Sequence, residues 1–488
     1  MKKIQALLVL LIASVYALYF VHLGADFPAF VRWNDWARYT DEGWYTSAAI
    51  QHVLTGRWYF PSGFNPVVAL PVWPALMRLW FAIVGCSMVS ERVLAVLLMG
   101  GSLLMLYSLL RRTVSETTCM IAILLFLLCP YNYAFARMAF LEPLVIFLFF
   151  LGLFICTLRL SSWVRAAAVG VVLCAMLLTK TTALTLAPAM LLFLMDSCNP
   201  GVPLRTTVRN PCTLAIPGLA IAIASLLMGA YFLLLVRPHY IADFRNIFHI
   251  NAYHANLRIL PEKLAIALAD LRVVDPYVAV LVLVLLLMSL WWFRDLWSQP
   301  LFRASALAVA CYVFYIGWHG WLSQRYYAPC AFLLTCMLAI GVQRMQHSRV
   351  CFPIFTVVLA LAAIIMTIST LRWIAHPTYT FRDASLSIAR HMKADTGVPT
   401  VLASPSSDDL ALYSGIHTWN PTWPTQNLDV LLQQNPLGWY AAWVPQEASL
   451  SPAITNRYDA REIERWTAMP DEIHQYLVLY RLTPRTSN

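Results

Sequence analysis

Apolar segments long enough to cross a lipid bilayer recur along most of the chain, and this pattern constrains the fold more than any single motif. A membrane-spanning helix needs about 20 predominantly apolar residues, whereas the strands of a membrane barrel alternate in polarity. The segments here carry almost no charge and do not alternate. Hydrophobic residues make up 60% of the 488 residues and charged residues only 12%, while soluble domains are about 45–50% apolar. The sequence therefore predicts a polytopic α-helical membrane protein.

About eleven spans are expected from the positions of these segments. They are residues 4–24, 89–110, 118–136, 143–160, 166–180, 181–195, 212–236, 275–293, 304–318, 327–343 and 352–371. Residues 66–84 are also apolar, but Pro66, Pro71 and Pro74 interrupt them. Because a twelfth span would upset the alternation of charge described next, we expect a re-entrant or interfacial helix there.

Basic residues mark alternate connections between the expected spans. They are Lys2 and Lys3, Arg111 and Arg112, Arg159 and Arg165, Arg205 and Arg209, Arg294 and Arg303, and Arg344 and Arg349. Cytoplasmic loops are enriched in Lys and Arg, so the pattern predicts a cytoplasmic N-terminus. An odd number of spans then places residues 372–488 outside, with the first loop, 25–88. Topology accounts for the net charge of +10, and no nucleic-acid partner is predicted.

Residues 372–488 differ in composition from the spans and are predicted to form a small α/β domain. Residues 381–393 have helical periodicity, and residues 399–403 and 476–480 have the character of β-strands. Turns that contain Pro and Asn separate these segments. We therefore expect two domains, a transmembrane domain at 1–371 with juxtamembrane helices on its outer side, and an extracytoplasmic domain at 372–488.

The first outer loop carries an acidic pair, Asp41-Glu42, followed shortly by Tyr45. Thr40 is predicted to cap a helix that runs to about Leu54, which would place both acids in the first turn, where the helix dipole favours negative charge. Asp41 has two interpretations, a helix N-terminal acid or a general base that acts on an acceptor hydroxyl. Glu42 points elsewhere around the helix and would support the loop or the acceptor.

Three more charged residues lie in or beside apolar segments. Glu142 would cost about 2.5–3.5 kcal/mol if it faced lipid at mid-membrane, so it must lie at an interface, pair with a cation such as Arg137, or line a cavity. Lys180 lies between two apolar runs, where it could bind a phosphate or snorkel to the interface. Arg325 begins the tenth span, where it could clamp a phosphate with help from Tyr326 or pack in the interfacial belt.

These positions resemble the C superfamily of membrane glycosyltransferases. The resemblance is to the bacterial branch similar to dolichyl-phosphate-mannose protein mannosyltransferases and lipid A aminoarabinose transferases. The matching segments are Asp41-Glu42-Gly43-Trp44-Tyr45, the Pro-rich residues 65–74, Glu91-Arg92-Val93-Leu94, residues 137–143, Leu178-Thr179-Lys180 and Arg325-Tyr326-Tyr327-Ala328-Pro329.

The resemblance implies a role for four of the matching charged residues. Asp41 would be the catalytic carboxylate, and Glu142, where the family commonly has aspartate, would assist in the same cavity. Lys180 and Arg325 would bind the lipid phosphate. The remaining residues expected to contribute to substrate binding are Glu42, Tyr45, Arg137 and Tyr326.

The implied reaction transfers a hexosyl or pentosyl group from a polyprenyl-phosphate donor to a hydroxyl of a lipid, glycan or protein acceptor. It would take place on the outer side of a bacterial inner membrane, among membrane lipids, and would invert the anomeric carbon. No metal-ligand set or cofactor motif is predicted, and a divalent metal requirement stays open. The alternatives are a transporter or lipid flippase, favoured by the spans and the intramembrane charges, and a membrane-anchored receptor or scaffold.

Overall fold

The computed structural model describes residues 2–27, 37–202, 206, 210–251, 257–291, 293–319, 323–447 and 450–485. Arg205, Arg209 and the side chain of Lys2, which the charge pattern included, lie outside the described part, as do residues 28–36 of the first loop. The chain divides into two packed units. Unit 1 is Met1–Val21, Ala95–Leu235 and Tyr253–Arg372, and unit 2 is His22–Leu94, Val236–Ala252 and Trp373–Asn488.

Helices form most of the described chain. They are α1 (Lys2–Leu18), α2 (Ala37–Thr55), α3 (Val72–Val84), α4 (Met88–Leu110), α5 (Glu116–Leu128), α6 (Pro130–Phe135), α7 (Glu142–Cys156), α8 (Ser162–Thr179), α9 (Ala187–Cys198), α10 (Pro211–Tyr231), α11 (Arg237–His239), α12 (Ile241–Ile250), α13 (Leu260–Ala269), α14 (Pro276–Trp291), α15 (Pro300–His319), α16 (Ala328–Met345), α17 (Cys351–Ala375), α18 (Thr380–Ala394), α19 (Ser407–Ser414), α20 (Leu428–Gln434) and α21 (Pro452–Thr455).

Within the described residues, 7 helical segments are long and apolar enough to cross a membrane, judged by length and composition. They are Met88–Leu110, Ser162–Thr179, Thr181–Cys198, Thr213–His239, Pro300–His319, Gln324–Met345 and Cys351–Ala394. Shorter apolar helices stand at the remaining expected spans, at Lys3–Leu18, Glu116–Leu128, Glu142–Cys156 and Pro276–Leu290. The prediction of a polytopic helical membrane protein is therefore confirmed.

Proline explains where two of the expected helices are shorter than the sequence pattern indicates. The expected span at 118–136 is interrupted, because α5 ends at Leu128 and α6 begins at Pro130. Proline has no N–H and its ring clashes with the carbonyl one turn earlier, so it begins helices better than it continues them. Residues 66–84 form a 3-10 turn at Pro66–Val68 and then α3, which has 13 residues. The re-entrant or interfacial placement of α3 stays a prediction.

In unit 1, α16 is the most enclosed of the long apolar helices, with 78% of its membrane-length window buried. Phe332 on α16 contacts Phe126 of α5 and Phe150 of α7, with ring centroids 4.2 Å and 5.5 Å away. A single 3-10 turn, Gln324–Tyr327, leads into α16. Because α16 packs against other helices on several sides, it fixes the position of the turn that leads into it.

Unit 2 contains a five-stranded mixed sheet. The strands are β1 (Leu402–Ala403), β2 (Thr418–Trp419), β3 (Trp439–Pro445), β4 (Tyr458–Trp466) and β5 (His474–Pro484), and their order in the sheet is β2-β1-β3-β5-β4. β1 pairs in parallel with β2 and β3, while β5 pairs antiparallel with β3 and β4. The predicted C-terminal α/β region is confirmed, with its helix at α18 and its last strand within β5.

Alternate residues of β3 face two different cores, as the period of a strand requires. Trp439 and Trp443 pack in one core with Ile388 of α18 and Leu410 of α19, and Tyr39 of α2 belongs to the same core. A helix from the first loop is therefore built into the C-terminal sheet layer of unit 2. The predicted division of the chain at residue 371 stays a prediction, whereas the packing groups His22–Leu94 with the C-terminal residues.

Candidate functional site

The helix that carries the acidic pair begins earlier than predicted. It starts at Ala37, so Thr40 is inside the helix and neither acid stands in its first turn. The prediction that Thr40 caps the helix was therefore wrong, and the helix-dipole argument does not apply to Asp41. Tertiary contacts hold the extra turn, because Arg38 and the Tyr39 hydroxyl both donate to the Asp471 carboxylate, at 3.2 Å and 2.7 Å.

Asp41 and Glu42 have different surroundings in unit 2. Asp41 is 7% exposed and accepts a 2.9 Å hydrogen bond from the Thr40 hydroxyl. Glu42 is 1% exposed, and both of its oxygens accept from Arg92, from Nε at 2.8 Å and from Nη2 at 2.5 Å. Arg92 also donates to the main-chain carbonyls of Leu23 and Ala25. Glu42 thus anchors the loop through a buried bidentate ion pair.

Gly43 brings the motif against the first turn of α19. A Cβ on Gly43 would lie 2.4 Å from the carbonyl carbon of Asp408 and 2.4 Å from the nitrogen of Asp409, which is closer than real Cβ contacts. The Gly43 N–H donates to Oδ1 of Asp409 at 3.3 Å. Only glycine allows this approach of two helices, so the residue after the acidic pair has a packing role.

Five buried carboxyl groups lie close enough around Asp409 or Glu42 to interact electrostatically, and we call them the acidic cluster: Asp41, Glu42, Glu91, Asp408 and Asp409. Burial raises the pKa of Asp408 to about 7. Burial, together with the charge of Glu42, raises the pKa of Asp409 well above its usual range. Burial and crowding of like charges favour the neutral acid. In the described part of the chain, no group of three or more His, Cys, Asp or Glu could hold a metal ion.

In unit 1, Glu142 and Lys180 form a buried ion pair. Glu142 begins α7 and is 2% exposed, while Lys180 is the C-cap of α8 and is 6% exposed. The Lys180 ammonium donates to Oε1 of Glu142. Of the three possibilities that the sequence left open for Glu142, an interface, a pair or a cavity, the structure shows a pair, and the partner is Lys180 and not the expected Arg137.

Arg325 and Tyr326 complete this group of side chains. The Lys180 Nζ lies 4.4 Å from the centroid of the Tyr326 ring, and the Arg325 Cζ lies 5.1 Å from the same centroid. Arg325 is 7% exposed and comes from the turn that leads into α16. We call Glu142, Lys180, Arg325 and Tyr326 the cation cluster. An ammonium and a guanidinium beside one aromatic ring can bind a phosphate oxyanion.

Two other residues expected at the site, Arg137 and Tyr45, contact main-chain carbonyls or aromatic rings. Arg137 donates to the carbonyls of Tyr19 and Val21, at 3.1 Å and 2.6 Å, and its guanidinium lies 4.2 Å from the Tyr133 ring centroid. Tyr45 is 7% exposed and packs against Trp44, with ring centroids 5.1 Å apart. A substrate-binding role for either residue stays a prediction.

The structure adds residues to which the sequence analysis gave no role. Arg92 and Glu91 begin an apolar segment. Charged residues in such a position usually form ion pairs or take part in function, so a role for these two residues was detectable from the sequence. Asp408 and Asp409 follow a Ser-rich turn, a common helix start. Nothing in that local pattern indicates that α19 packs on Gly43, because the two segments are more than 360 residues apart.

The fold is similar to those of ArnT and of an archaeal oligosaccharyltransferase. ArnT from Cupriavidus metallidurans, bound to undecaprenyl phosphate, has 13% sequence identity and a TM-score of 0.63, with 97% of this chain and 98% of that chain covered. Its apo state gives 12% identity and a TM-score of 0.64, with 98% of each chain covered. The Archaeoglobus fulgidus oligosaccharyltransferase, in complex with Zn and sulfate, gives 12% and 0.52, over 93% of this chain and 72% of that chain.

A sequence family points in the same direction. The model for dolichyl-phosphate-mannose-protein mannosyltransferase matches residues 66–236, a segment that begins before α3 and ends just after α10. No curated protein matches the chain by sequence. These findings confirm the resemblance to the C superfamily of membrane glycosyltransferases.

Proposed function

We propose that this protein transfers a monosaccharide from a polyprenyl-phosphate donor to an acceptor hydroxyl. The observation that carries the proposal is the cation cluster, two buried cations beside one aromatic ring at the ends of apolar helices. The ArnT structure, similar to this chain along its whole length, was solved with undecaprenyl phosphate. The matching family is described by its dolichyl-phosphate-mannose donor.

The cation cluster would bind the phosphate of the donor. An ammonium has three N–H donors, and Glu142 accepts from Lys180, so further donors remain for phosphate oxygens. A guanidinium such as that of Arg325 can donate two parallel hydrogen bonds to the same group. Glu142 would hold the ammonium in position and balance its charge when no donor is bound.

The chemical step would be a single displacement at the anomeric carbon. The acceptor oxygen forms a bond to that carbon while the bond from the carbon to the phosphate oxygen breaks. Asp41 removes the proton of the acceptor hydroxyl, and polyprenyl phosphate departs as the anion. Lys180 and Arg325 stabilise the negative charge that develops on the phosphate, and electrostatic stabilisation of this kind is commonly the largest catalytic contribution. A single displacement inverts the anomeric configuration.

The orientation and location follow from the charge pattern of the connections. The basic connections support a cytoplasmic N-terminus, and the first loop and the C-terminal α/β region would then face the outer side of a bacterial inner membrane. The acceptor would be a lipid, a glycan or a protein that reaches that side. The sugar would be a hexose or a pentose.

Transfer from a panel of radiolabelled polyprenyl-phosphate sugars to membrane acceptors tests the proposal, with the purified full chain in proteoliposomes. Transfer by the parent protein and its loss in Asp41→Asn are expected. The matched control is Asp429→Asn, which removes a carboxylate from a half-exposed ion pair with Arg457 in unit 2. No transfer from any donor would refute the proposal, and movement of the donor across the bilayer without transfer would favour a flippase. A product with retained configuration would refute the single displacement.

A further inference from the structure

A cavity of about 750 Å³ lies in unit 1, where the ends of three helices meet. α4 ends there at Leu110, α9 ends there at Cys198, and α15 begins there at Pro300. The rest of the described lining comes from residues 199–202 and from Ser298. We call this space the basic cavity. The function proposed above uses none of the residues that line it.

The basic cavity is separate from the cation cluster. α15 runs from Pro300, at the cavity, to His319, and the turn that carries Arg325 follows. Lys180 precedes the helical segment Thr181–Cys198, whose far end lines the cavity. α15 has 20 residues, so at about 1.5 Å per residue it is about 30 Å long, which matches the hydrocarbon thickness of a bilayer. The cavity and the cation cluster therefore lie near opposite ends of the same two helical segments. The charge pattern of the connections predicts that the end with the cavity is cytoplasmic.

Two guanidinium groups and one carboxylate belong to the described lining, so its net charge is positive. Nη2 of Arg303 donates to Oδ2 of Asp196 at 2.8 Å, and this ion pair neutralises the carboxylate. Arg112 follows the end of α4 and is exposed. Within the described part of the chain, its side chain has no hydrogen bond or ion pair. The positive charge of Arg112 is therefore available to an anionic ligand.

The basic cavity has both apolar and polar walls. Leu109, Phe193 and Leu301 contribute apolar side chains, while Thr113 and Ser197 contribute hydroxyl groups. A free phosphate ion would leave the apolar side chains in contact with water. A bare acyl chain would remove the guanidinium and hydroxyl groups from water without giving them partners. The lining therefore favours a molecule that has an anionic group and an apolar part.

The position of the cavity selects one class of such molecules. Three of the helical segments that are long enough to cross a membrane end at the cavity: Met88–Leu110, Thr181–Cys198 and Pro300–His319. Phospholipid head groups lie at the same level, because the polar region of a bilayer begins where the hydrocarbon core stops. The volume is that of a small-molecule site, about 300–1,000 Å³. Basic pockets between transmembrane helices on the cytoplasmic side bind anionic head groups.

We infer that the basic cavity binds the head group of an anionic phospholipid. Arg112 donates hydrogen bonds to the phosphate, and the N-terminus of α15 adds the partial positive charge of the helix dipole at the cavity. Leu109, Phe193 and Leu301 contact the first carbons of the acyl chains. The inference does not rest on the proposed function, because the basic cavity and the cation cluster share no residue.

Lipid binding is tested with the purified, delipidated full chain in detergent, titrated and followed by native mass spectrometry. The probes are phosphatidylglycerol, phosphatidylcholine with the same acyl chains, and glycerol phosphate. Phosphatidylglycerol should bind with a lower Kd than phosphatidylcholine, and glycerol phosphate should not bind at the same concentrations. Equal Kd values for the two lipids would show that the charge is not recognised and would overturn the inference. Binding of glycerol phosphate as tightly as phosphatidylglycerol would overturn the assignment to a lipid.

A pair of neighbouring arginines separates the cavity from a general attraction between basic loops and anionic lipids. Arg112→Gln removes the charge from an exposed side chain and should raise the Kd for phosphatidylglycerol at least about fivefold. Arg111→Gln is the matched control, because Arg111 is not among the described residues of the lining and lies over the Tyr107 ring, 5.9 Å from its centroid. Its Kd should equal that of the parent. An unchanged Kd in Arg112→Gln, or equal rises in both variants, would overturn the inference. Thermal unfolding of both variants, compared with the parent, shows whether the fold is retained.

Discussion

The buried ion pair between Arg92 and Glu42 gives the most demanding test of how the acidic loop is held. Arg92→Met keeps most of the side-chain volume but removes four donated hydrogen bonds, two to Glu42 and two to the carbonyls of Leu23 and Ala25. Glu42, which is 1% exposed, then stays buried without its cation. Breaking a buried pair by removing one partner costs about 3–5 kcal/mol, and we expect unit 2 to lose that much.

A double-mutant cycle separates the pair from the effects of each side chain. Glu42→Gln alone leaves the Arg92 charge buried, and the double variant Arg92→Met with Glu42→Gln leaves neither charge. The sum of the two single losses in unfolding free energy should therefore exceed the loss in the double variant by about 0.5–3 kcal/mol, the range found for residues in contact. The assay is unfolding of the purified protein in detergent, followed by tryptophan fluorescence as denaturant is added.

Additive losses, within about 0.3–0.5 kcal/mol, would show that the two residues do not act as a pair. A small effect of Arg92→Met on stability, combined with loss of transfer, would contradict the structural role assigned to Glu42. It would instead favour the substrate-binding role that the sequence analysis gave to that residue. The cycle thus decides between anchoring and substrate contact at the second acid.

Three further predictions concern the same residues. Gly43→Ala should lower the free energy of unfolding by about 1–3 kcal/mol, because its Cβ would lie 2.4 Å from main-chain atoms of α19. The control is Gly229→Ala, whose Cβ would have no neighbour within 4 Å and which should leave the free energy of unfolding unchanged. The raised pKa of Asp408 means that the folded protein keeps a proton that the unfolded chain releases, so stability should fall as the pH rises from about 4 to 7. Thermal unfolding of Asp408→Asn should show a shallower fall of stability with pH. An unchanged slope would refute the raised pKa of Asp408. Lys180→Met should lower the rate of transfer at least ~100-fold and also destabilise the protein. The double variant Lys180→Met with Glu142→Gln should regain stability but not transfer activity. If the double variant regained transfer activity as well, Lys180 would not bind the phosphate.

The helical architecture was predictable because its cause is local. Each apolar run must satisfy its own backbone hydrogen bonds in the bilayer, so length and composition indicate a helix at each position. The break at Pro130 was also detectable, since proline acts on its own turn. The start of α2 at Ala37 was not, because Arg38 and Tyr39 are held by Asp471 in a distant part of the sequence.

The candidate site was predictable in its residue types and less so in their partners. Pairing was one of three possibilities for Glu142 inside an apolar stretch, and local spacing favoured Arg137 as the partner. The ion pair is instead made by Lys180, which follows the next helix. Helix ends that are far apart in sequence meet through tertiary packing, and local spacing in the sequence does not show which ends will meet. The same reason hid Asp408 and Asp409, whose α19 packs on Gly43.

The most direct test of the central claim measures both products in one reaction. The purified protein receives a polyprenyl-phosphate sugar and an acceptor, and glycosylated acceptor and released polyprenyl phosphate are quantified by mass spectrometry. We predict equal amounts of the two products from the parent protein. We predict neither product from Asp41→Asn, compared at the same concentration of folded protein. Equal activity in both proteins would remove Asp41 from the mechanism, and the absence of both products from the parent with every donor would contradict sugar transfer itself.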